Sequence, residues 1–180
     1  SYEENYKDGK KVGETKYTYY ENGQKASEKY YKDGTTLVKS TYWYENGHKG
    51  GEENFKNGKR EGKWTWWHKN AQRWIDRNYK DGEEDGKWTE WYENGQIKLE
   101  EIWKDGQLEV KSVYENDELV GETKYSYYHG GMRESERSYK DGKLNGKSYM
   151  WHWNGKLVSD VSFKDGKIFL QESSENSHLG

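Results

Sequence analysis

The chain has 180 residues, a formal net charge of −3, and neither cysteine nor proline. Basic and acidic residues are mixed along both halves, which argues against nucleic acid or an anionic membrane surface as the principal ligand, because both are held by clustered Lys and Arg. Without cysteine, disulfides and thiol chemistry are excluded. Only 29% of the residues are hydrophobic, yet 17% are aromatic. Since disordered chains are poor in aromatic residues, we expect a folded chain whose apolar surface comes from Trp and Tyr.

Two kinds of turn motif alternate along the sequence. Lys-Asp-Gly motifs and their variants, which we name first tips, end at Gly9, Gly34, Gly58, Gly82, Gly106, Gly142 and Gly166. Glu-Asn-Gly motifs and their variants, which we name second tips, end at Gly23, Gly47, Ala71, Gly95, Gly131 and Gly155. Asp-Gly and Asn-Gly favour tight type I′ turns, so each tip predicts a hairpin turn with one strand on either side.

The spacing of the tips predicts the fold. From Gly34 to Gly106 the first tips recur every 24 residues, with 13 residues from a first to a second tip and 11 back. Each interval has room for one strand, and Tyr, Trp, Thr and Val favour strands. The sequence therefore predicts an all-β protein, an elongated repeat array of antiparallel β-hairpins forming a single-layered, twisted meander sheet of about 14 strands.

The repeats divide the chain without interrupting it. We predict regular hairpins in residues 1–106 and further repeats in 121–170, as parts of one continuous repeat domain. Between them the first tips are 36 residues apart instead of 24, so we expect 107–120 to form an irregular hairpin, with Asp117 where glycine is usual. The polar residues 171–180 are expected to be a frayed tail.

Aromatic residues stand at fixed distances from the tips. Four residues before the second tips are Tyr19, Trp43, Trp67, Trp91, Tyr127 and Trp151, and the next residues are Tyr20, Tyr44, His68, Tyr92, Tyr128 and His152. Three residues before the first tips are Tyr6, Tyr31, Phe55, Tyr79, Trp103, Tyr139 and Phe163. We expect these side chains to stack in rows across the sheet and to form its core.

A glycine also recurs four residues beyond most first tips. These glycines are Gly13, Gly62, Gly86, Gly121 and Gly146. A glycine fixed just before an aromatic strand predicts either a β-bulge or a close approach of two backbones.

Together these features resemble a known repeat. Residues 57–67 and 81–95, with their paired glycines followed by tryptophans, resemble the MORN repeat, and more closely its bacterial variant found in YwqK-like antitoxin family proteins. The resemblance covers roughly residues 2–170, and it departs at 35–38 and 107–110, where the second glycine is missing. It implies a rod of β-hairpins that serves as a scaffold for protein partners and in some members binds lipid.

The resemblance implies a bacterial origin and leaves open whether a cognate toxin exists. The chain starts at Ser1 rather than Met. Two expectations for its location therefore stand side by side, the cytoplasm, or secretion to the cell surface with the export signal removed.

The motifs that enzymes and cofactor sites use are missing from the sequence. Turn geometry explains the Asp and Asn residues of the tips, and His68 and His152 take places in a tyrosine row. The histidines lack the spacing of a metal site, and the glycines are not arranged as in nucleotide-binding loops. We therefore predict a non-catalytic protein without a metal or cofactor.

One aromatic cluster is a candidate for binding a partner: Trp64, Trp66, Trp67, Trp74, Trp88, Trp91 and Tyr92. Because side chains alternate along a strand, Trp64 and Trp66 should face away from Trp67. The rings either pack within the rows or leave an exposed aromatic groove, and exposed aromatic patches mark interaction sites. We favour a protein or peptide partner, with a glycan or lipid as the alternative and nucleic acid excluded. Unpaired sheet edges also favour self-association.

Overall fold

The structure is a computed structural model that describes residues 1–169, so the predicted tail of 171–180 lies outside the described residues. The described chain is all-β, with 17 strands and only antiparallel pairings between them. It contains no helix, and thus no helix long and apolar enough to cross a membrane. The chain divides into two compact units, residues 1–119 and 120–180. The predicted irregular hairpin of 107–120 ends at this boundary.

Each unit is a run of antiparallel strands. The first unit contains β1 (Tyr2–Lys7), β2 (Lys10–Tyr19), β3 (Lys25–Lys32), β4 (Thr36–Trp43), β5 (Lys49–Lys56), β6 (Lys59–Arg60), β7 (Gly62–Trp67), β8 (Arg73–Lys80), β9 (Glu83–Glu84), β10 (Gly86–Trp91), β11 (Ile97–Lys104) and β12 (Gln107–Glu115). The second contains β13 (Glu118–Tyr127, which begins just before the boundary), β14 (Arg133–Lys140), β15 (Lys143–Trp151), β16 (Leu157–Lys164) and β17 (Lys167–Ile168). Within each unit, strands pair with their neighbours along the chain, so the predicted array of antiparallel hairpins is confirmed.

The number of strands exceeds the predicted 14 for two reasons. Two predicted strands are each interrupted once, at Glu61 between β6 and β7 and at Asp85 between β9 and β10. The turn of the irregular hairpin, which the count of first and second tips left out, is formed by Asn116 and Asp117, whose φ angles of 52° and 63° are both positive. Asp117 therefore occupies a left-handed position that glycine takes in the other turns of this kind.

Apart from the tip at Gly34, where Lys32 pairs with Thr36 across three residues, the first tips are the predicted type I′ turns. Their Asp or Asn residues have φ between 46° and 53°, and the glycines that follow have φ between 72° and 99°. A two-residue turn with both φ angles positive matches the twist of the flanking strands. The Asp-Gly and Asn-Gly pairs therefore fix the register of each hairpin at this end.

The prediction of type I′ turns at the second tips is wrong. At Tyr92–Gly95 only Gly95 has a positive φ, 85°, and its N–H donates to the Tyr92 carbonyl at 2.9 Å. This is a type I turn followed by a left-handed glycine. Asn94 stabilises it, because its Oδ1 accepts the N–H of Gln96 at 3.0 Å, an Asx interaction that suits the αR region.

Second tips are also bonded to one another along the array. In four places, the side chain three residues before a second tip donates a hydrogen bond to a main-chain carbonyl of the next second tip. The pairs are Tyr20 to Trp43, Tyr44 to Trp67, His68 to Trp91 and Tyr128 to Trp151. The turn asparagines make a second set of such bonds, Asn22 to Glu45, Asn46 to Lys69 and Asn70 to Glu93. The polar edge of the tyrosine row thus joins consecutive repeats.

The core of the first unit contains only one of the predicted aromatic rows, the one before the first tips, and it also contains Trp64 and Trp88, which belong to none of the predicted rows. The two rows before the second tips lie outside this cluster. Ring contacts run from strand to strand through Phe55, Trp64, Tyr79, Trp88 and Trp103, with centroid separations of 5.1, 5.2, 5.7 and 5.0 Å. Trp64, Tyr79 and Trp88 are buried, with 7%, 4% and 9% of their surface exposed. We name the side of the sheet that carries this row the aromatic face.

Gly62 and Gly86 stand where the strand is interrupted before each buried tryptophan. Their φ angles of 68° and 91° lie in the left-handed region that favours glycine. The main-chain turn also brings the indole N–H of Trp64 within 2.8 Å of the Asn54 carbonyl. The predicted bulge is therefore present at these positions, and it places the tryptophan in the core.

The opposite side of the first unit carries paired charges, and we name it the ion-pair face. Acidic residues alternate with threonines across its strands, in the order Glu28, Thr41, Glu52, Thr65, Asp76, Thr89 and Glu100. Asp76, for example, lies 2.7 Å from the Lys63 ammonium and 2.8 Å from the Arg73 guanidinium. Neighbouring cations therefore neutralise this face.

Replacing Ala71 with glycine should stabilise the protein. Ala71 ends a second tip with a φ of 67°, which an L-residue with a Cβ adopts at a cost that glycine avoids. After allowing for the greater freedom of glycine in the unfolded chain, we expect Ala71→Gly to raise the free energy of unfolding by about 0.5 kcal/mol. Urea unfolding measures the change.

Ala26, in β3, provides the matched control, because its φ is not positive. Ala26→Gly should lower the free energy of unfolding by about 0.5 to 1 kcal/mol. If both substitutions destabilise the protein equally, the left-handed conformation at Ala71 is not the determinant.

Removing a ring from the middle of the row should be severely destabilising. Trp88 contacts both Tyr79 and Trp103, so Trp88→Ala should lower the free energy of unfolding by about 3 to 5 kcal/mol. The control is Trp153→Ala, since Trp153 is 66% exposed and should contribute at most about 0.5 kcal/mol. Equal losses in chemical denaturation would show that the row is not the core.

Candidate functional site

A groove on the aromatic face lies over β5 to β8. Its volume is about 490 Å³, and it is lined by Glu53, Arg60, Trp64, Trp66, Trp74, Ile75, Arg77 and Tyr79. Trp64 and Trp66 point to this side because they are two residues apart on β7. Register places Arg77 opposite Trp64 and Ile75 opposite Trp66 on the neighbouring strand. The hairpin of β7 and β8 therefore supplies most of the groove.

Gly51 allows Trp66 to lie flat on the sheet at one side of the groove. The two residues are opposite each other on β5 and β7, and a Cβ on Gly51 would come within 2.7 Å of the Trp66 ring. The indole is also stacked with Tyr42, at a centroid separation of 5.8 Å and an angle of 11° between the planes. Because Gly51 has no side chain, there is room on the sheet for the Trp66 ring.

A bulge brings Trp74 into the groove. Trp66 pairs with Ile75 and Trp67 pairs with Arg73, so Trp74 is the additional residue of the β8 strand. Trp74 is 38% exposed, and its ring lies 5.7 Å from that of His68. Since His68 is held by its Nε2–H bond to the Trp91 carbonyl at 3.1 Å, Trp74 packs against a fixed side chain and stays accessible from outside.

Two arginines lie over the aromatic rings of the groove. The guanidinium carbon of Arg60 is 5.0 Å from the Trp64 ring centroid and 5.2 Å from that of Tyr79. That of Arg77 is 4.3 Å from the Trp88 ring centroid. These separations are those of cation–π contacts. The groove is therefore lined by indole rings and by cations that the rings hold in place.

Glu53 is the acidic residue of the groove. Only 9% of its surface is exposed, and the Tyr42 hydroxyl donates to its Oε2 at 3.2 Å. Burial raises the pKa of the Glu53 carboxyl above its ordinary value, and the Tyr42 hydrogen bond and the charges of Lys29 and Arg60 oppose this rise only in part. The Glu53 carboxylate is thus costly to hold in its charged form.

The structure separates the predicted binding residues into two groups. Trp64, Trp66 and Trp74 line the groove, and Trp88 lies beside it beneath Arg77. The other three do not line it: Trp67, Trp91 and Tyr92. The ammonium of Lys49 covers Trp67, 5.0 Å from its ring centroid, while Tyr92 belongs to a second tip and is 43% exposed.

Sequence reasoning missed Glu53, Arg60 and Arg77. A signal for them exists in the departures from the repeat, because Glu53 and Arg77 are 24 residues apart and take the same place in consecutive copies. A strand position on the aromatic face that carries opposite charges in neighbouring copies is not needed for the turns or the aromatic row. Such a position is a candidate for recognition.

The described residues give the groove the properties of a binding surface. Within residues 1–169, no three side chains of His, Asp or Glu come together in a way that could hold a metal ion. The groove is open to solvent and is lined mainly by rings and by aliphatic and cationic side chains. This arrangement can bury apolar groups of a partner and bind an anionic group beside them.

Comparison with known families finds a match at two places in the chain. The family model described as MORN repeat variant matches the chain at residues 11–33 and 84–105. No curated protein sequence matches the chain. MORN repeats are a non-catalytic repeat type and are generally associated with binding to proteins or to membrane lipids.

The pH dependence of stability should distinguish two neighbouring glutamates. With a raised pKa in the folded state, Glu53 binds its proton more tightly there, so its contribution to the free energy of unfolding decreases as pH rises from the unfolded-state pKa through the folded-state pKa. Glu53→Gln removes this decrease. The variant should therefore gain stability relative to wild type between pH 4 and pH 7, as measured by urea unfolding across that range.

Glu52→Gln is the control, since Glu52 lies on the ion-pair face. Burial tends to raise its pKa, but hydrogen bonds from Lys49 and Lys39 outweigh burial, and the pKa is lowered. Its stabilising contribution is present above the unfolded-state pKa and is lost as pH falls through the folded-state pKa. Glu52→Gln should therefore lose stability relative to wild type as pH rises from below the folded-state pKa to the unfolded-state pKa, so its urea series extends to more acidic pH than that of Glu53→Gln. Curves of the same sign for both variants would contradict this assignment.

Proposed function

We propose that this protein is a non-catalytic repeat scaffold that binds a protein partner through the groove on its aromatic face. The observation that carries the proposal is the position of Trp66 and Trp74, two indoles that are held by Tyr42, Gly51 and His68 and yet line an open groove. Tryptophan is among the residues that contribute most at protein interfaces. Rings that are fixed before binding lose little conformational entropy when a partner covers them.

The contrast between the two faces of the first unit supports the same choice of surface. On the ion-pair face, Glu52 lies against Lys39 and Lys49, and Asp76 lies against Lys63 and Arg73. A partner docking there would have to compete with existing ion pairs. On the aromatic face the groove offers apolar surface beside cations, which suits a protein segment with mixed side chains.

A polypeptide fits this groove better than the other binding classes that the repeat allows. Membrane binding through anionic lipids calls for clustered basic residues, whereas the groove has two cations, Arg60 and Arg77, beside the acidic Glu53, and the cations of the ion-pair face are paired with acids. If the resemblance to antitoxin proteins extends to function, the partner is a toxin polypeptide. The groove would then be the surface that holds the toxin.

Selection from a displayed library of random short peptides tests the proposal. We expect peptides to be enriched on the wild-type protein and to bind Trp74→Ala about tenfold more weakly, because a central tryptophan is lost. Trp153→Ala is the matched control and should bind them as wild type does, since Trp153 lies in the other unit. Circular dichroism verifies that each variant is folded.

Two parallel arms use a glycan array and phosphatidylglycerol vesicles. Binding of glycans or vesicles, without any peptide that depends on Trp74, would contradict the proposed function and would favour a glycan- or lipid-binding protein.

A further inference from the structure

We propose that the groove recognises an acidic segment of its partner, with side-chain carboxylates bound by Arg60 and Arg77. This inference rests on the proposed function and adds the chemistry that the bound segment must carry. The inference depends on three features of the groove. Aromatic rings orient the two arginines, neither arginine forms an ion pair among the described residues, and the buried Nε–H of Arg77 has no hydrogen-bond acceptor there.

The rings position both guanidinium groups. Arg60 lies against Trp64 and Tyr79, while Arg77 lies against Trp88, and the three rings belong to the buried core. An arginine held against a ring can direct its terminal N–H groups toward a planar carboxylate, which accepts two parallel hydrogen bonds. The core therefore prepares both cations for anion binding before any partner arrives.

Neither arginine forms an ion pair with an acidic side chain within residues 1–169, although Glu53 interacts electrostatically with Arg60. Arg73 and Arg133 each form an ion pair with a carboxylate three residues later, whereas Arg60 and Arg77 form no ion pair in the described part of the chain. The hydrogen bond of Arg60 is to a neutral group, the Tyr79 hydroxyl, at 3.4 Å. Two cations thus remain for a ligand to neutralise.

One N–H group of Arg77 lacks a hydrogen-bond acceptor, which a carboxylate could provide. Its Nε–H is buried and has no hydrogen-bond acceptor among the described residues. A buried donor without a partner is unfavourable, and native proteins rarely retain one without a reason. A carboxylate that displaces the side chains covering the Nε edge of Arg77 would supply the acceptor.

The geometry favours the carboxylates of a polypeptide over lipid phosphates. The guanidinium groups lie among Trp66, Trp74 and Ile75 in one groove, so an anion that reaches them brings its neighbouring atoms into contact with indole and aliphatic surface. A peptide carries acidic and apolar side chains on the same short segment, and it can satisfy both requirements. A flat membrane surface presents its phosphates together and its apolar chains beneath them.

Glu53 lowers the affinity of the groove for an acidic segment. Its carboxyl group lines the same groove and interacts electrostatically with Arg60. Because it repels an incoming anion, Glu53 weakens the attraction that the two arginines create. Removing its charge should therefore strengthen the binding of acidic peptides, an effect opposite to that of removing an arginine.

The peptides selected in a Trp74-dependent manner test the inference. We expect Asp and Glu to be enriched among them relative to the library. For a representative acidic peptide, Arg77→Gln should lower the affinity about tenfold, and exposed Arg60→Gln provides a second variant in case Arg77→Gln is unfolded. Glu53→Gln should raise the affinity. The matched control is Arg137→Gln, in the second unit, which should leave the affinity unchanged.

A double-mutant cycle identifies the contact. A peptide with Gln in place of its acidic residues should bind wild type about as weakly as the acidic peptide binds the Arg60→Gln/Arg77→Gln double variant, and combining the peptide and protein changes should give little further loss. The affinity of the acidic peptide for wild type should also fall as salt is raised. Additive losses in the cycle would overturn the inference.

The remaining outcomes separate the two proposals. Trp74-dependent peptides that are neutral or basic would overturn the acidic segment and leave the protein-binding groove standing. The absence of any Trp74-dependent peptide would overturn both. Phosphatidylglycerol vesicles that bind only when Arg60 and Arg77 are intact, without such peptides, would assign the arginines to lipid phosphate instead.

Discussion

The structure of the first unit depends on contacts between side chains on neighbouring strands of the same sheet. Its strands lie beside one another, and each contacts mainly the strands next to it along the chain. A small side chain can be buried in such an arrangement, as Ser40 is, but it cannot cover a neighbour on the same face, because that requires reaching across roughly 5 Å. Large rings such as Trp64, Tyr79 and Trp88 make this contact. The high aromatic content follows from this constraint.

The fold could be predicted from the sequence to the extent that local turn chemistry and the repeat specify it. Asp-Gly and Asn-Gly pairs identified the first tips correctly, and the spacing gave the hairpins between them. The second tips differed, since in Glu-Asn-Gly the asparagine binds the N–H of the residue after the glycine, as Asn94 binds that of Gln96. The interruptions at Glu61 and Asp85 were also missed in the strand count, although Gly62 and Gly86 had predicted a bulge there.

The candidate site was less predictable, because it depends on which face each ring occupies and on what covers it. Composition indicated the tryptophan cluster, and alternation placed Trp66 and Trp67 on opposite faces. The sequence could not distinguish Trp88, which is buried, from Trp74, which a bulge turns outward. Arg60 and Arg77 were missed for a related reason. In a chain with mixed charge throughout, a cation without an acidic partner is recognisable only from its position in three dimensions.

The hydrogen bonds between second tips indicate how a protein of this kind could gain additional repeats. Tyr44 and Asn46 each reach a carbonyl in the following repeat, and His68 and Asn70 repeat the same contacts one step further on. A new copy inserted at a second tip would therefore find its acceptors and donors already in place. Duplication of a repeat could therefore lengthen the sheet without requiring a new kind of hydrogen bond between copies. Substitutions on one strand, such as those that placed Arg77 and Trp74 in the groove, could then adapt a single copy to its ligand.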